Sequence, residues 1–123
     1  MVKALGDGMY YGSLAEENIY LRPGVMERMR GTARAVTAVK RGIANVTGIA
    51  HVYDADELAG TTPTTDPLLR AWRLSYLEGR SGDFVVVPKP YWIIDSSGTT
   101  HGTPYGYDTR VPVVLMGAGI QAG

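Results

Sequence analysis

The residue most able to do chemistry is His101, in the stretch Gly98-Thr99-Thr100-His101-Gly102-Thr103-Pro104. Glycines and small hydroxyls on either side let a metal ion or substrate approach the imidazole closely. In open α/β sheets, ligands gather in loops at strand ends. The other reading is a loop histidine that only hydrogen-bonds locally. Asp95 and Asp108 bracket this loop and could orient His101 or cap turns; turns are the simpler role. His51, the other imidazole, falls between Ile49 and Tyr53 in a strand-like run and reads as a structural or surface histidine. Asp54, Asp56 and Glu57 lack the ligand spacing of an EF-hand and read as a solvated turn. Trp72, Tyr76 and Trp92 read as core aromatics rather than a base-stacking platform.

Other signatures are weak. Gly6-Asp7-Gly8 and Gly117-Ala118-Gly119 are not followed by the third glycine and helix of a dinucleotide fingerprint. No Gly-x-Ser-x-Gly occurs, and no Ser–His–Asp set can be ordered. Without Cys there is no disulfide, thiol nucleophile or Cys-ligated zinc. Twelve basic and twelve acidic residues cancel in a chain of 123, so no basic excess exists to neutralise a nucleic-acid scaffold. No apolar run is long enough for a membrane span, and the first residues lack the apolar region of a signal peptide. The hydrophobic share of 45% supports a modest core.

The elements that must position His101 read as β-α-β-α-β-loop-β. Met9-Tyr10-Tyr11 and Asn18 to Leu21 are short strands. Val25, Met26, Met29, Ala33, Val36 and Ile43 recur at the helical period, predicting one amphipathic helix from Val25 to about Arg41. Its basic residues form a solvated face. Ile49 to Tyr53 alternates as a strand. Asp66-Pro67 opens a second helix, with Gly79 as its C-terminal cap. Phe84 to Val87 is a strand, which Pro88 and Pro90 mark as an edge or a bulge. Tyr91 to Ile94 is extended. Val111 to Met116 is apolar on both faces, as in a covered parallel strand. The fold class is α/β to α+β. A strand wanting cover on both faces, in so short a chain, suggests a piece of something larger.

The stretch Gly98 to Gly123 resembles the last metal-ligand segment of the alkaline phosphatase superfamily. It is most similar to the large bacterial secreted alkaline phosphatases with a threonine nucleophile, relatives of the type I phosphodiesterase/nucleotide pyrophosphatase group. The carrying pattern is Gly-Thr-Thr-His-Gly, Pro104-Tyr105, Tyr107-Asp108-Thr109, Val111-Pro112 and the closing Gly117-Ala118-Gly119-Ile120. Asn18 to Leu21, and Ser81 to Val87 leading to Tyr91-Trp92, agree less tightly. Arg110 stands where relatives often carry His, at a position that is not a ligand.

The resemblance implies a zinc-dependent phosphomonoesterase of which this chain is a C-terminal fragment. In the family, three Asp and three His hold two zincs, and a Thr or Ser between them attacks phosphorus. Only His101 carries over, as one zinc ligand; the nucleophile and other ligands are expected upstream. Residues 9–94 are then a ferredoxin-like βαβαβ subdomain, and residues 95–123 the metal-ligand loop and return strand of the catalytic sheet. The isolated chain is expected to hold no zinc, to be inactive, and to self-associate through its last strand. A periplasmic or secreted location is implied by the resemblance alone. The alternatives are a phosphodiesterase of the same superfamily and a non-enzymatic α+β interaction module.

Overall fold

A computed structural model describes residues 5–96 and 98–121. Residues 1–4, Ser97 and the last two residues of the 95–123 segment lie outside the described residues. Strands β1 (Tyr11–Ala15) and β2 (Asn18–Leu21) are followed by helices α1 (Val25–Arg30) and α2 (Ala35–Ala44). Strand β3 (Ile49–Asp54), helices α3 (Ala55–Ala59) and α4 (Pro67–Ser75) and strand β4 (Phe84–Pro88) complete the order.

The sheet order is β1-β2-β4-β3, with antiparallel pairing throughout. The strand latest in sequence therefore sits inside the sheet. Since β2 and β3 both run antiparallel to β4, they are parallel to each other. They form a split β-α-β unit whose crossover is α1 and α2.

Every residue of β4 is buried. Phe84 packs with Val25, Met26 and Met29 of α1, Ala35 and Val39 of α2, and Val52. Val85 and Val87 point the other way, toward Tyr53 and Leu58, against which Leu68, Leu69 and Trp72 of α4 pack. Helices thus cover both faces, which is why an unbroken apolar run is tolerated here. The mixed α/β class stands, but the ferredoxin-like βαβαβ order expected over residues 9–94 is replaced by β-β-α-α-β-α-α-β. The edge reading of Phe84 to Val87 is corrected too: the strand is central. Pro88 is its last residue, and the register opposite it shifts between Ile49 and His51. The bulge half of that reading holds.

The helix expected from Val25 to about Arg41 is two helices. Gly31 ends α1: its N–H bonds back to the Glu27 carbonyl, and the next N–H, of Thr32, to the Met29 carbonyl. Arg34, at φ 64°, starts α2 from the left-handed region. The break shifts the apolar phase, so Ala35 and Val39 reach the core while Ala33 is exposed. Helix α4 starts where Asp66-Pro67 predicts. Asp66 Oδ1 accepts from the N–H groups of Leu68 (2.9 Å) and Leu69 (3.3 Å), and Oδ2 accepts from the Tyr53 hydroxyl at 2.6 Å. That hydroxyl lowers the Asp66 pKa. The helix ends at Tyr76 in extended backbone, so Gly79 serves the following turn rather than the cap.

The strand read at Met9-Tyr10-Tyr11 shares only Tyr11 with β1, which runs on to Ala15, and Tyr10 instead enters the core; two further strand readings are not met. Tyr91 to Ile94 is irregular, with Tyr91 at φ 66° and Trp92 lying over Gly48. A Cβ on Gly48 would come within 2.5 Å of the Trp92 ring. Val111 to Met116, read as a strand buried on both faces, has no ladder partner and is exposed, Met116 to 95%. The doubly covered strand is β4 instead.

Phe84 is 0% exposed and joins both crossover helices to the sheet. Phe84→Ala is expected to destabilise the chain by about 3–5 kcal/mol. Denaturant unfolding checks this, and a loss under ~1 kcal/mol would contradict the central role of β4.

Candidate functional site

The loop after β4 is tied down at several points. The Lys89 N–H bonds the Gly48 carbonyl at 2.7 Å. The Tyr105 hydroxyl donates to the Pro88 carbonyl at 2.8 Å, and the Tyr91 N–H donates to the Tyr107 hydroxyl at 3.0 Å. The rings of Tyr91, Tyr107 and Tyr105 stack in that order, with centroids 4.6 and 5.6 Å apart. Asp108 closes the turn after His101: its Oδ2 accepts from both the N–H (2.7 Å) and the hydroxyl (2.8 Å) of buried Thr103. These bonds lower the Asp108 pKa. The turn-capping reading of Asp108 is thereby met.

His101 stands exposed on this loop, next to Gly102 at φ 99°. A Cβ on Gly102 would meet nothing within 4 Å. Among the described residues, no group of three or more His, Asp or Glu could hold a metal ion. Zinc needs three or four protein ligands. His101 alone does not meet that number. Asp95 is exposed and lines a small cleft of about 80 Å³ with Leu14, Glu17 and Thr100.

The other sequence candidates are structural. His51 is exposed on the outer strand β3, its ring parallel to that of Tyr53 at 5.9 Å. Asp54, Asp56 and Glu57 form more than a solvated turn. Asp54 caps α3 in a reciprocal pair with Glu57, at 3.0 and 2.9 Å. Lys40 bridges both carboxylates, and Arg30 binds Asp56 at 2.7 Å. Trp72 and Tyr76 pack beside the second core cluster, while Trp92 is half exposed.

The residue that the sequence hides is Glu17. It occupies the two-residue turn between β1 and β2, where Glu16 takes φ 52° and turns the next side chain inward. Glu17 is 4% exposed. It borders a cleft of about 260 Å³ lined also by Glu16, Trp72, Tyr76, Ser81 and Gly102. Burial raises its pKa, opposed by its own backbone N–H and reinforced by Glu16 and Asp108. Nothing in a Glu-Glu pair signals burial, because the turn that aims it depends on both strands being in place.

The sign of this shift is testable. A carboxyl with a raised folded pKa does not weaken the fold below its unfolded value of 4.5, and does so once the pH exceeds its folded value. Glu17→Gln is therefore expected to stabilise the chain at pH ~7, the gain vanishing as pH falls below ~4.5. Thermal unfolding across pH checks this; a variant equally stable at neutral pH contradicts it.

No known family profile matches the chain. Three curated relatives do. A protein named "Calcium-transporting ATPase" from Myroides odoratus is 30% identical over 116 residues, which is 90% of this chain and 21% of the relative. "Alkaline phosphatase PhoK" from a Sphingomonas species is 28% identical over 115 residues, 85% of this chain and 20% of the relative. "Alkaline phosphatase PhoD" from Zymomonas mobilis is 28% identical over 118 residues, 87% of this chain and 20% of the relative. The chain spans about a fifth of the length of these relatives. The resemblance to alkaline phosphatases, which the sequence carries from about Asp7 onward, is thus met over most of the chain.

Proposed function

We propose that this chain, similar over most of its length to a segment of alkaline phosphatases, serves a zinc-dependent phosphate-ester hydrolase. It contributes His101 as one metal ligand. The observation that carries this is an exposed histidine on a pinned loop, within a stretch shared with two alkaline phosphatases. The relative named as an ATPase agrees at the level of bond type, since ATPases and phosphatases both cleave a P–O bond. Zinc, when bound, would lower the pKa of a nucleophilic hydroxyl and stabilise the leaving oxygen. His101 would hold the metal through a neutral ring nitrogen, with Asp108 fixing the turn that presents it. The nucleophile and remaining ligands belong to the longer protein. No described helix is long and apolar enough to cross a membrane; a periplasmic or secreted location goes with this reading.

In a longer protein carrying this chain, His101→Ala is expected to cut hydrolysis of p-nitrophenyl phosphate at least ~10²-fold and to lower bound zinc. The isolated chain should show no cleavage above background with added zinc. Retention of half the activity by the variant would remove His101 from the metal site.

The same reading makes Val111 to Met116 a strand completed by another segment. Exposed apolar residues with unpaired backbone are a template for pairing, and in the isolated chain a second copy offers the edge. Pro112 lacks one donor, so pairing is strongest from Val113 onward. Sedimentation is expected to show self-association that Val114→Lys shifts toward monomer. A monomer at high micromolar concentration, with protected amides across Val113 to Met116, would show that the chain covers this run by itself.

A further inference from the structure

The cleft behind the β1–β2 turn has no part in the chemistry read for His101. Its lining includes two carboxyls, Glu16 and Glu17, and no basic side chain. The ion pairs among the described residues use Glu27, Asp54, Asp56 and Glu57, leaving Glu17 without one. The Glu17 carboxyl is held only by its own backbone N–H, and burial opposes its charge. A buried acid without a partner is a site at which an incoming cation would be stabilised.

The aromatic lining narrows the kind of cation. Trp72 is half-buried, yet its Nε1 is wholly buried without a hydrogen-bond partner. The accessible part of the indole is therefore ring carbon and not the N–H edge. Tyr76 adds a second half-buried ring. Aromatic faces attract cations that shed water easily. A hard divalent metal instead needs several oxygen ligands, and no group of three acidic or imidazole residues that could hold one is present among the described residues. A phosphate would meet carboxyls with no basic residue to offset them. At about 260 Å³ the cleft is smaller than pockets for whole cofactors, and suits a compact headgroup.

We infer that this cleft binds an organic ammonium ion, with Glu17 as its counter-charge and Trp72 and Tyr76 as its walls. Ser75, at the end of α4, and Ser81 form polar parts of the lining and can meet a hydroxyl on the same ligand. His101 itself is not among the lining residues.

Choline is a suitable probe, followed through the indole N–H resonances of the ¹⁵N-labelled chain, with Trp92→Phe assigning the Trp72 signal. Choline is expected to move the Trp72 resonance saturably in the millimolar range, and the neutral tert-butyl isostere of choline is expected not to. Glu17→Gln should weaken the interaction at least ~10-fold. Ser75→Arg, at an exposed helix end, should weaken it as well by placing a competing cation at the cleft, and its amide spectrum reports whether the fold is kept. Absence of a saturable shift overturns the proposal. So does equal binding of the isostere, which would make the cleft merely apolar, or displacement of choline by stoichiometric zinc, which would make it a metal site.

Discussion

The double burial of β4 is the constraint on which the rest of the structure depends. Without it, β1 and β2 would share only their own hairpin and β3 would have no ladder partner. Its insertion supplies ladder partners to both, with Asn18 and Ile19 on one side and the run from Ile49 to Asp54 on the other. The same strand carries a side-chain set for each helix layer, Phe84 on one face and Val85 and Val87 on the other. Neither helix pair could bury its apolar stripe without it. Three backbone bonds tie neighbouring segments to this axis: Val86 N–H to the Glu17 carbonyl, Ala55 N–H to the Asp83 carbonyl, and Lys89 N–H to the Gly48 carbonyl.

From that axis the candidate site inherits its order. The chain leaves β4 at Pro88, and the Tyr105 hydroxyl returns to the Pro88 carbonyl. The stacked tyrosines and the Asp108–Thr103 bonds hold the intervening backbone, and His101 projects outward from it. Glu17 is placed by the same strand from the opposite direction, since its carbonyl accepts from Val86.

What the sequence reveals follows from how local each signal is. Helix α4 was legible because Asp66-Pro67 satisfies its first N–H groups within a few residues. The strands at Asn18, Ile49 and Phe84 were legible from β-branched alternation or density. The break between α1 and α2 was not, because the apolar period runs through Gly31 and only packing against the sheet decides between one helix and two. Strand order was hidden for the same reason: nothing local says that the last strand enters between two earlier ones. His101 stands out in the sequence through its small neighbours and its loop, both local features. Glu17 was missed because its burial is set by a turn and a cleft built from distant segments. The aromatic core reading held for Trp72 and Tyr76, and less for Trp92, which covers Gly48 from outside.

Val85-Val86-Val87 and Val113-Val114-Leu115 make the point in one chain. Their compositions are nearly the same, yet Val87 is 0% exposed and Val114 is 82% exposed. Intrinsic strand preference cannot separate them, since it measures fit to a half-buried pleated surface rather than a property of the residues alone. What separates them is the supply of partners. The first run has a strand on each side and a helix layer on each face; the second has neither. The His101 loop lies between these two runs, anchored at its Pro88 end and free at its Val111 end. Pairing of the second run with another sheet edge would therefore fix the second end of the loop, so that assembly and the final position of His101 would be set by one event.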